Sequence, residues 1–571
     1  MLDKEADKHE AHKHEAHKHE ADKQKLTSMK LTNMKLTNMK LKNMKIFRII
    51  TVLSLIISAG SCTKLDEEVF STITNENYYK TIDEVEAAVS RPYSHLRQTY
   101  MFFSTNGGST YLLQELSTDE AAWPQKGRDG FDNGNWLRLH RHEWTPEDGS
   151  FKLAWNHLYK GISFCNTVLH DITPIEFIPE AQKTVYIAEV RGMRSLFYYY
   201  LLDLFGNVPI VTATDQYSPA SKTRAELYAY IETELTEIRD QLPQYNSGEM
   251  YGRFTKQTAE AILSRMYLNA EVYTGTAEWS KCIEVCESIA NSGLFQLDAH
   301  WQTPFLTNNY LSKENIFVIP NDAVYGNDVD NLFKFTTHWA QKETQFSYTG
   351  NGGYNGLVTV REFIEKYDTL NDKRCKFDSH ALIAGNQNNP DIQRGQFMWG
   401  LQLGIDGDTV RATNDLIGQP LSFTLDVANM TDGKENSGAR NIKYRVETGA
   451  SGFSNDLVVF RLAEIYFNWA EASIRLGGQV PAAALEGINT IRSRAGIPAY
   501  TSGELTLIEL FDEKGREMAY EAIRRTDMIR FGTYTNARWD KEQSASFRTL
   551  YPIPQSSRNV NPNLTQNAGY P

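Results

Sequence analysis

The sequence predicts a mostly α-helical single domain in which paired helices form a scaffold for one long irregular segment. Apolar residues follow a helical period in two hairpin-like units, near residues 259–291 and 462–494, and in five further stretches. Residues 300–450 differ, because glycine, asparagine, aspartate and threonine are dense there and the helical period fades. We expect loops and short strands in this excursion. We also expect recognition residues there, since loops on a rigid scaffold often carry function.

The first hairpin is defined by its apolar spacing and by the breaks that follow each helix. Apolar residues from Ala259 to Tyr273 recur at spacings of three and four, which places them on one helical face. The pattern breaks at residues 274–276. A second helix is predicted over 278–291, with Gly293 as its C-terminal stop.

The second hairpin repeats this pattern nearer the C-terminus. Apolar residues line one face of 462–476, two glycines follow, and Pro481 opens a partner helix that ends near Arg494. Both units are about 34 residues long and look like tetratricopeptide hairpins. Less regular helices are predicted at 82–98, 151–170, 184–204, 224–241 and 508–530.

Two segments near the C-terminus have distinct signatures. Residues 551–571 contain four prolines, which predicts an extended strap across the scaffold and no helix. Within 515–532, charged residues fall at spacings suited to ion pairs within and between helices. We interpret these charged residues as structural: Arg516, Glu517, Glu521, Arg524, Arg525 and Asp527.

Tandem five-residue repeats occupy the first part of the chain. AHKHE recurs over about residues 6–21 and LTNMK over about residues 26–45, and neither repeat can form a core. We hypothesise that translation starts at Met44 and that residues 1–43 are a low-complexity leader that is not translated. The alternative is a metal-binding tract built from His9, His12, His14, His17 and His19.

Residues 44–61 have the layout of an export signal. Lys45 and Arg48 supply a positive start, residues 49–57 are an apolar run, and residues 58–61 are small. The run is too short for a membrane span, which needs about 20 residues. Cys62 follows at once, and this arrangement resembles the lipobox of bacterial lipoproteins, which predicts lipidation of Cys62. An ordinary signal peptide with a chance cysteine is the alternative.

Composition narrows the classes of function. The formal net charge of −12 and pI near 5.6 argue against nucleic-acid binding, because no basic stripe is available to replace counterions on phosphates. Aromatic residues make up 12% of the chain. This bias suits either aromatic packing between helices or the stacking of sugar rings on aromatic side chains.

Cysteine and histidine spacing gives little support for a metal or catalytic site. Four cysteines besides Cys62 are expected to be free and buried, although two of them lie four apart and could offer two metal ligands: Cys165, Cys282, Cys286 and Cys375. His140 and His142 are interpreted as a packed pair. The chain has no G-x-S-x-G, Walker or H-E-x-x-H motif. No cofactor is predicted, and a calcium site in a loop stays open.

Several sequence segments, in order along the chain, resemble segments of the SusD/RagB outer-membrane lipoproteins of Bacteroidetes. They begin with the acidic LDEE at residues 65–68, just after Cys62, and continue to the last residues. The other phrases are STDEAAWPQKGRDGFDNGNWLRLHRHEWTP, AWNHLYKGISFCNTVL, AEVRGMRSLFYYYLLDLFGNVPIVT, GRFTKQTAEAILSRMYLNAEVY, NDLVVFRLAEIYFNWAEASIRLGG, INTIRSRAGIP, GREMAYEAIRRTDMIRFG and YPIPQSSRNVNPNLTQNAGY.

The resemblance implies both a fold and a function. It implies a helical domain with tetratricopeptide-like hairpins, split into an N-terminal helical part at 62–300 and a C-terminal part at 301–571. Relatives of this kind are lipid-anchored, face outward from the outer membrane, and act as a lid on a SusC-like TonB-dependent transporter. They bind glycans or, in some branches, peptides, and they are not enzymes. A surface glycoside hydrolase and a pure protein scaffold are the weaker alternatives.

The loop after residues 117–120 is the best candidate for the ligand site. Aromatic rings there alternate with carboxylates and cations, the groups that stack on sugar faces and bond sugar hydroxyls: Trp123, Lys126, Arg128, Asp129, Phe131, Asp132 and Trp136. Many relatives have an aromatic residue where this chain has Gly130, so Phe131 or Trp123 is expected to stack. We expect alanine at Trp123, Phe131 or Trp136 to weaken binding without unfolding. The alternative is that Phe131 and Trp136 are core residues.

Secondary candidates lie in the excursion, each near glycine or asparagine. They are Trp339, Tyr348, Tyr354 and Trp399. Ligand residues of this kind of protein sit in variable loops, so no motif carries a role over to these four positions.

Overall fold

Helices form most of the regular structure. The computed structural model describes residues 79–245, 248–325, 330–377 and 395–571, and Tyr79–Pro571 is one compact unit. The leader repeats, the export signal and Cys62 lie outside the described residues. The helices are α1 (Ile82–Tyr100), α2 (Thr110–Glu115), α3 (Asn135–Arg141), α4 (Gly149–Ile172), α5 (Glu180–Leu204), α6 (Arg224–Ile238), α7 (Lys256–Leu268), α8 (Ala270–Thr274), α9 (Trp279–Ala290), α10 (Leu332–Thr336), α11 (Trp339–Thr344), α12 (Arg361–Ile364), α13 (Leu462–Arg475), α14 (Ala482–Arg494), α15 (Leu507–Glu517), α16 (Arg524–Arg530) and α17 (Gln555–Val560).

The described strands are short and pair antiparallel in two-stranded ribbons. The pairs are β1 (Phe103–Ser104) with β2 (Gly107–Gly108), β3 (Ala121–Ala122) with β5 (Val358–Thr359), β4 (Asn315–Ile319) with β10 (Leu457–Arg461), β6 (Phe397–Met398) with β9 (Arg440–Asn441), and β7 (Gly400–Leu401) with β8 (Ser422–Phe423). The mostly helical fold class is therefore confirmed.

Both predicted hairpins are present. The α7 to α9 unit packs against α13, and α13 packs against α14, so the two hairpins share one buried layer. The first predicted helix is interrupted at Asn269, which separates α7 from α8. Pro481 is the N-cap of α14, as predicted. Gly487 allows close packing in the second hairpin, because a Cβ there would lie 2.4 Å from the Tyr466 ring.

The N-terminal helices form the rest of the scaffold. α1 packs on α4, α4 on α5, and α5 on α6. Helix α1 begins with a capping box in which Thr81 and Glu84 satisfy each other's backbone N–H groups. Every helix in the described parts of the chain is too short or too polar to cross a bilayer.

The predicted helix at 508–530 is wrong as a single element. It is split into α15 and α16 because Tyr520 and Ala522 adopt left-handed φ angles of 62° and 58°. The backbone N–H groups of these two residues donate to the buried carboxylates of Glu120 and Glu115. The break depends on partners from the distant N-terminal half, and the local sequence does not reveal them.

The C-terminal segment also departs from its prediction. Helix α17 interrupts the expected extended strap, directly after Pro554. Pro554 occupies the N-cap, where no helical N–H is required of it. The rest of the segment does cross the scaffold, because the backbone N–H of Tyr551 donates to Leu204 at 2.9 Å and the side-chain amide of Asn567 donates to Phe205 at 2.7 Å.

The excursion has a small core of its own. A second hydrophobic cluster is centred on Phe333, Phe346, Phe423 and Phe453, separate from the main core. Short ribbons and two short helices, α10 and α11, surround this cluster. The prediction of loops and short strands is confirmed for the described part, with three short helices, α10, α11 and α12, added.

The charged segment after α14 lies inside the protein. Glu517 lies 2.9 Å from Arg461, 2.7 Å from Arg494 and 2.9 Å from Arg374. Burial alone would raise the pKa of Glu517, but these guanidinium groups outweigh it and hold the pKa well below its usual range. Each of the six charged residues singled out in this segment makes an ion pair, which confirms their structural role.

The cysteines and histidines of interest are structural. The four described cysteines are buried and free, as expected. His140 bonds to the backbone oxygen of Trp539 at 2.8 Å, and His142 bonds to that of Ser117 at 2.9 Å. Burial, together with nearby Arg538, lowers the pKa of His140 to about 3. The described residues contain no cluster of three or more metal-ligating side chains.

Candidate functional site

A strand pair positions the candidate loop. β3 pairs with β5 of the excursion, and Trp123 follows β3 directly, so the loop starts from a buried and hydrogen-bonded position. The backbone N–H of Gln125 then donates to Met430 at 2.9 Å, and that of Gly127 donates to Gly433 at 3.3 Å. Hydrogen bonds to the excursion therefore hold both ends of the first turn of the loop.

Four aromatic rings from separate segments stack next to this loop. Phe103 of β1 stacks on Trp123 with centroids 5.0 Å apart and an interplanar angle of 5°. Trp136 of α3 stacks on Trp123 at 5.2 Å, and Tyr354 stacks on Phe103 at 5.3 Å. We call Phe103, Trp123, Trp136 and Tyr354 the aromatic platform. Trp123 and Trp136 are 3% and 1% exposed, whereas Phe103 and Tyr354 are half-buried, so the latter two rings form its accessible face.

Lys126 has a structural role in the loop. Its ammonium group is buried and donates to the backbone oxygens of Asn355 and Gly356, the latter at 2.7 Å. Burial and the nearby Arg440 guanidinium lower the pKa of Lys126 well below its usual range. The expectation that Lys126 contacts a ligand is therefore corrected, because both of these bonds fasten the loop to the excursion.

The exposed end of the loop presents a cation, a carboxylate and a ring. Residues 126 and 129 bond to each other through their backbones, which leaves the side chains of Arg128 and Asp129 exposed at the turn. Phe131 is 56% exposed. Gly130 has φ +78°, and a Cβ there would lie 3.0 Å from the Pro124 oxygen and 3.3 Å from the Trp123 ring. The local backbone therefore explains why this chain has its exposed ring at Phe131 and none at Gly130.

Asp132 links the loop to the platform. Its carboxylate accepts a hydrogen bond from the Trp136 indole N–H at 2.6 Å, and its φ of 41° begins a short left-handed run with Asn133. Burial raises the pKa of Asp132, and the neighbouring carboxylate of Asp129 adds to this effect. Backbone strain of this kind collects at functional sites.

The excursion completes the site with Tyr354 and Trp339. Burial raises the pKa of Tyr354, and the carboxylate of Asp330 contributes. Asp330 also accepts a hydrogen bond from the backbone N–H of Phe103 at 2.8 Å, so it lies beside both accessible rings. Trp339 is half-buried and donates its indole N–H to Thr413. Its neighbour His338 forms a backbone bridge with Tyr354, which brings Trp339 near the platform.

Two of the predicted residues lie elsewhere. Tyr348 is 1% exposed and stacks on Phe453 at 5.4 Å inside the second hydrophobic cluster, so its prediction as a ligand contact is corrected to a core role. Trp399 is half-buried, with the Lys376 ammonium 5.1 Å from its ring centroid. No ring contact joins Trp399 to the platform among the described residues.

The sequence singled out the loop as a candidate site but did not reveal the residues from other segments that lie beside it. Trp123 and Trp136 support the platform from inside, which corrects their expected role as direct contacts. Phe103 and Asp330 were missed. The paired rings of the phrase MFFSTNGG, placed before a glycine turn, are the signal that could have indicated Phe103. Asp330 has no comparable signal. The residues of the loop and platform region with exposed or half-buried side chains are Phe103, Arg128, Asp129, Phe131, Asp132, Asp330, Trp339 and Tyr354.

Family models match most of the described chain. A model described as "SusD family" matches residues 260–570, and one described as "Starch-binding associating with outer membrane" matches residues 104–268. The starch-binding protein SusD of Bacteroides thetaiotaomicron is 28% identical over 497 residues, covering 81% of this chain and 85% of that protein. SusD-like protein P25 of Formosa agariphila is 24% identical, covering 91% and 99%.

Solved structures share the fold. A SusD superfamily protein from Parabacteroides distasonis matches with a TM-score of 0.67 at 20% identity, covering 87% of this chain and all of that one. Surface glycan-binding protein A from Bacteroides thetaiotaomicron in complex with laminarihexaose matches with a TM-score of 0.64 at 20% identity, covering 85% and 99%. Since the first family model alone spans more than half of the sequence, the chain belongs to the SusD family.

Proposed function

We propose that this protein is a cell-surface lipoprotein that captures glycans and delivers them to a SusC-like TonB-dependent transporter. The observation that carries the proposal is the aromatic platform, whose two accessible rings lie beside Asp330 and next to the loop bearing Arg128 and Asp129. Flat rings stack on the apolar faces of pyranoses, while carboxylates and guanidinium groups bond the hydroxyls.

The relatives support a glycan ligand. The B. thetaiotaomicron relative is named a starch-binding protein, and the structure of one structural neighbour is of a complex with laminarihexaose. A peptide ligand is the second candidate, since some branches of the family bind peptides. We favour glycan because the exposed surface of the site consists of ring faces and charged side chains.

Capture without hydrolysis is part of the proposal. A glycosidase needs two carboxyl groups about 5 to 9.5 Å apart across the scissile bond. Asp129 and Asp132 are neighbours in one loop, and Asp132 is already bonded to Trp136. We expect no new reducing ends when the protein is incubated with a glycan that it binds, and turnover in a reducing-sugar assay would contradict this.

We propose that lipid on Cys62 anchors the protein to the outer membrane, where the protein faces the cell surface. The family description "associating with outer membrane" supports this location. Cys62→Ala is expected to abolish labelling by a radioactive fatty acid and to release the protein from membranes. Co-purification of a TonB-dependent transporter with the lipidated protein would support delivery, and its consistent absence would count against it.

Affinity electrophoresis tests the central proposal. The chain from residue 63 is run through gels containing plant, microbial or host polysaccharides. Retardation by one glycan that weakens on changing Phe103 and Tyr354 to alanine supports capture at the platform. Mobility that no polysaccharide changes, combined with measurable binding of peptides, would favour the peptide alternative.

A further inference from the structure

A groove runs along helix α1, on elements that the aromatic platform does not use. One wall is a stripe of α1 side chains, and the cavity has a volume of about 290 Å³. The stripe residues recur at spacings of three and four, which places them on one helical face: Glu86, Val89, Ser90, Tyr93, Ser94 and Arg97.

The length of the groove follows from helical geometry. Glu86 and Arg97 lie three turns apart on α1, about 16 Å along the axis at 1.5 Å per residue. A free amino acid or a single sugar ring cannot reach from one of these charges to the other. The groove therefore suits a linear chain of several units.

The floor of the groove is held by a buried polar cluster. Glu189 of α5 has no exposed surface and pairs with Arg253 at 2.6 Å. The Tyr93 hydroxyl donates to Glu189 at 2.9 Å and accepts a bond from the backbone N–H of Phe254 at 3.0 Å. Burial raises the pKa of Glu189 against the opposing effect of Arg253. A cavity with convergent polar groups of perturbed pKa is a common sign of a binding site.

Several polar groups of the groove have unused bonding capacity. The Arg97 guanidinium makes no hydrogen bond or ion pair with a described residue, although it acts electrostatically on Asp322 and Asp456. The hydroxyls of Ser90 and Ser94 donate to carbonyls of their own helix, which leaves their oxygen lone pairs as acceptors.

We propose that this groove is a second glycan-binding site, which takes a linear neutral oligosaccharide. Tyr93 and Tyr251 supply rings, and the charged lining is balanced, with Arg97 and Arg253 against Glu86 and Glu189. Balanced charge gives no preference for an anionic chain.

The wall of the groove argues against a peptide ligand. An extended peptide that adds to a sheet edge bonds to the free backbone groups of a strand. The long wall here is a helix, whose backbone groups bond within α1. A glycan chain needs only side-chain partners, which the groove supplies. The inference rests on the proposed glycan ligand but uses different residues.

Titration calorimetry with maltohexaose and laminarihexaose tests the groove. In a background that carries Phe103→Ala and Tyr354→Ala, binding of one probe should remain. Arg97→Ala should then weaken that binding by at least about tenfold, because charge-assisted bonds are lost. Ser90→Trp should block the groove, and Gln98→Ala, an exposed neighbour that does not line the groove, should change nothing.

The outcomes separate the two proposals. If the wild type binds a probe and the Phe103→Ala, Tyr354→Ala protein binds none, the groove proposal is overturned while capture at the platform stands. If Arg97→Ala abolishes binding but the platform changes do not, the groove stands and the platform assignment fails. If the wild type binds neither probe, the groove proposal is overturned for neutral hexasaccharides.

Discussion

The buried ion-pair network around Glu517 and the exposed loop after Trp123 contain the same kinds of side chain but use them differently. In the network, arginine and glutamate are fully buried, and each charge has several partners. In the loop, the side chains of Arg128 and Asp129 are exposed and bond to no described residue. Charged side chains that are buried and fully paired hold the fold together, whereas exposed charged side chains without described partners are available to bind a ligand.

Breaking the network should have the largest effect on stability. Arg461 pairs with Glu314, Glu517 and Glu521 and has no exposed surface. Arg461→Met removes one cationic partner from each of three buried carboxylates, so the free energy of unfolding should fall by about 3–5 kcal/mol. Urea denaturation measures this loss.

Arg361→Met is the matched control, because Arg361 pairs with Asp426 at the exposed surface. Exposed pairs contribute little, so the control should unfold close to the wild type. Equal losses in the two variants would contradict the distinction between the two regions.

Truncating a supporting ring should also lower the free energy of unfolding. Trp136 is 1% exposed and stacks on Trp123, so Trp136→Ala should cost about 3–5 kcal/mol of unfolding free energy. This revises the expectation from sequence that such a change would spare stability. Phe131→Ala is the control, since Phe131 is largely exposed. Thermal melting that places both variants near the wild type would show that the platform is not a packed unit.

Stability should decline as pH rises, because of a buried carboxyl pair. Burial raises the pKa of Glu115 from 4.5 to about 7, and burial together with the neighbouring Glu115 carboxylate raises the pKa of Glu120 well above its usual range. The pair faces the cations of Lys443 and Arg524 and the carboxylate of Glu521. The folded state retains a proton on Glu115 that the unfolded state loses as pH rises above 4.5. The contribution of Glu115 to the free energy of unfolding is therefore complete below pH 4.5 and is lost as pH rises through about 7.

Glu115→Gln should remove the part of that pH dependence that comes from Glu115. The amide oxygen can still accept the bond from the backbone N–H of Ala522, but the group no longer titrates. The change in unfolding free energy between pH 4.5 and 7 should shrink by an amount on the order of 3 kcal/mol. If urea denaturation gives the same pH dependence for Glu115→Gln and the wild type across this range, the raised pKa of Glu115 is contradicted.

A smaller effect is expected at Gly130. Alanine there must adopt φ +78° and contact the Pro124 oxygen, so Gly130→Ala should cost about 1–2 kcal/mol of unfolding free energy. Gly503→Ala is a control with open space around the added Cβ. Calorimetric melting compares the two variants, and an unchanged melting temperature for Gly130→Ala would show that the loop relaxes easily.

Local sequence patterns predicted the helical scaffold well, but they did not show which side chains pack around the candidate loop. Apolar periodicity and Pro481 located the α13 and α14 hairpin because its signals lie within the hairpin itself. The break at Tyr520 was missed because its backbone N–H bonds to Glu120, far away in sequence. For the same reason, the sequence made Trp123 a candidate for ligand contact but could not show that Phe103 covers it.

The most direct test of the account is glycan binding by the Phe103→Ala, Tyr354→Ala double variant, compared with the wild type by affinity electrophoresis. The accessible rings of the platform are removed while Trp123 and Trp136 remain in place. We predict that the affinity for the bound polysaccharide, taken from the retardation, falls at least about tenfold while the variant still unfolds cooperatively, since each stacked ring contributes about 1 kcal/mol or more. Undiminished retardation of a folded double variant would contradict capture at the aromatic platform.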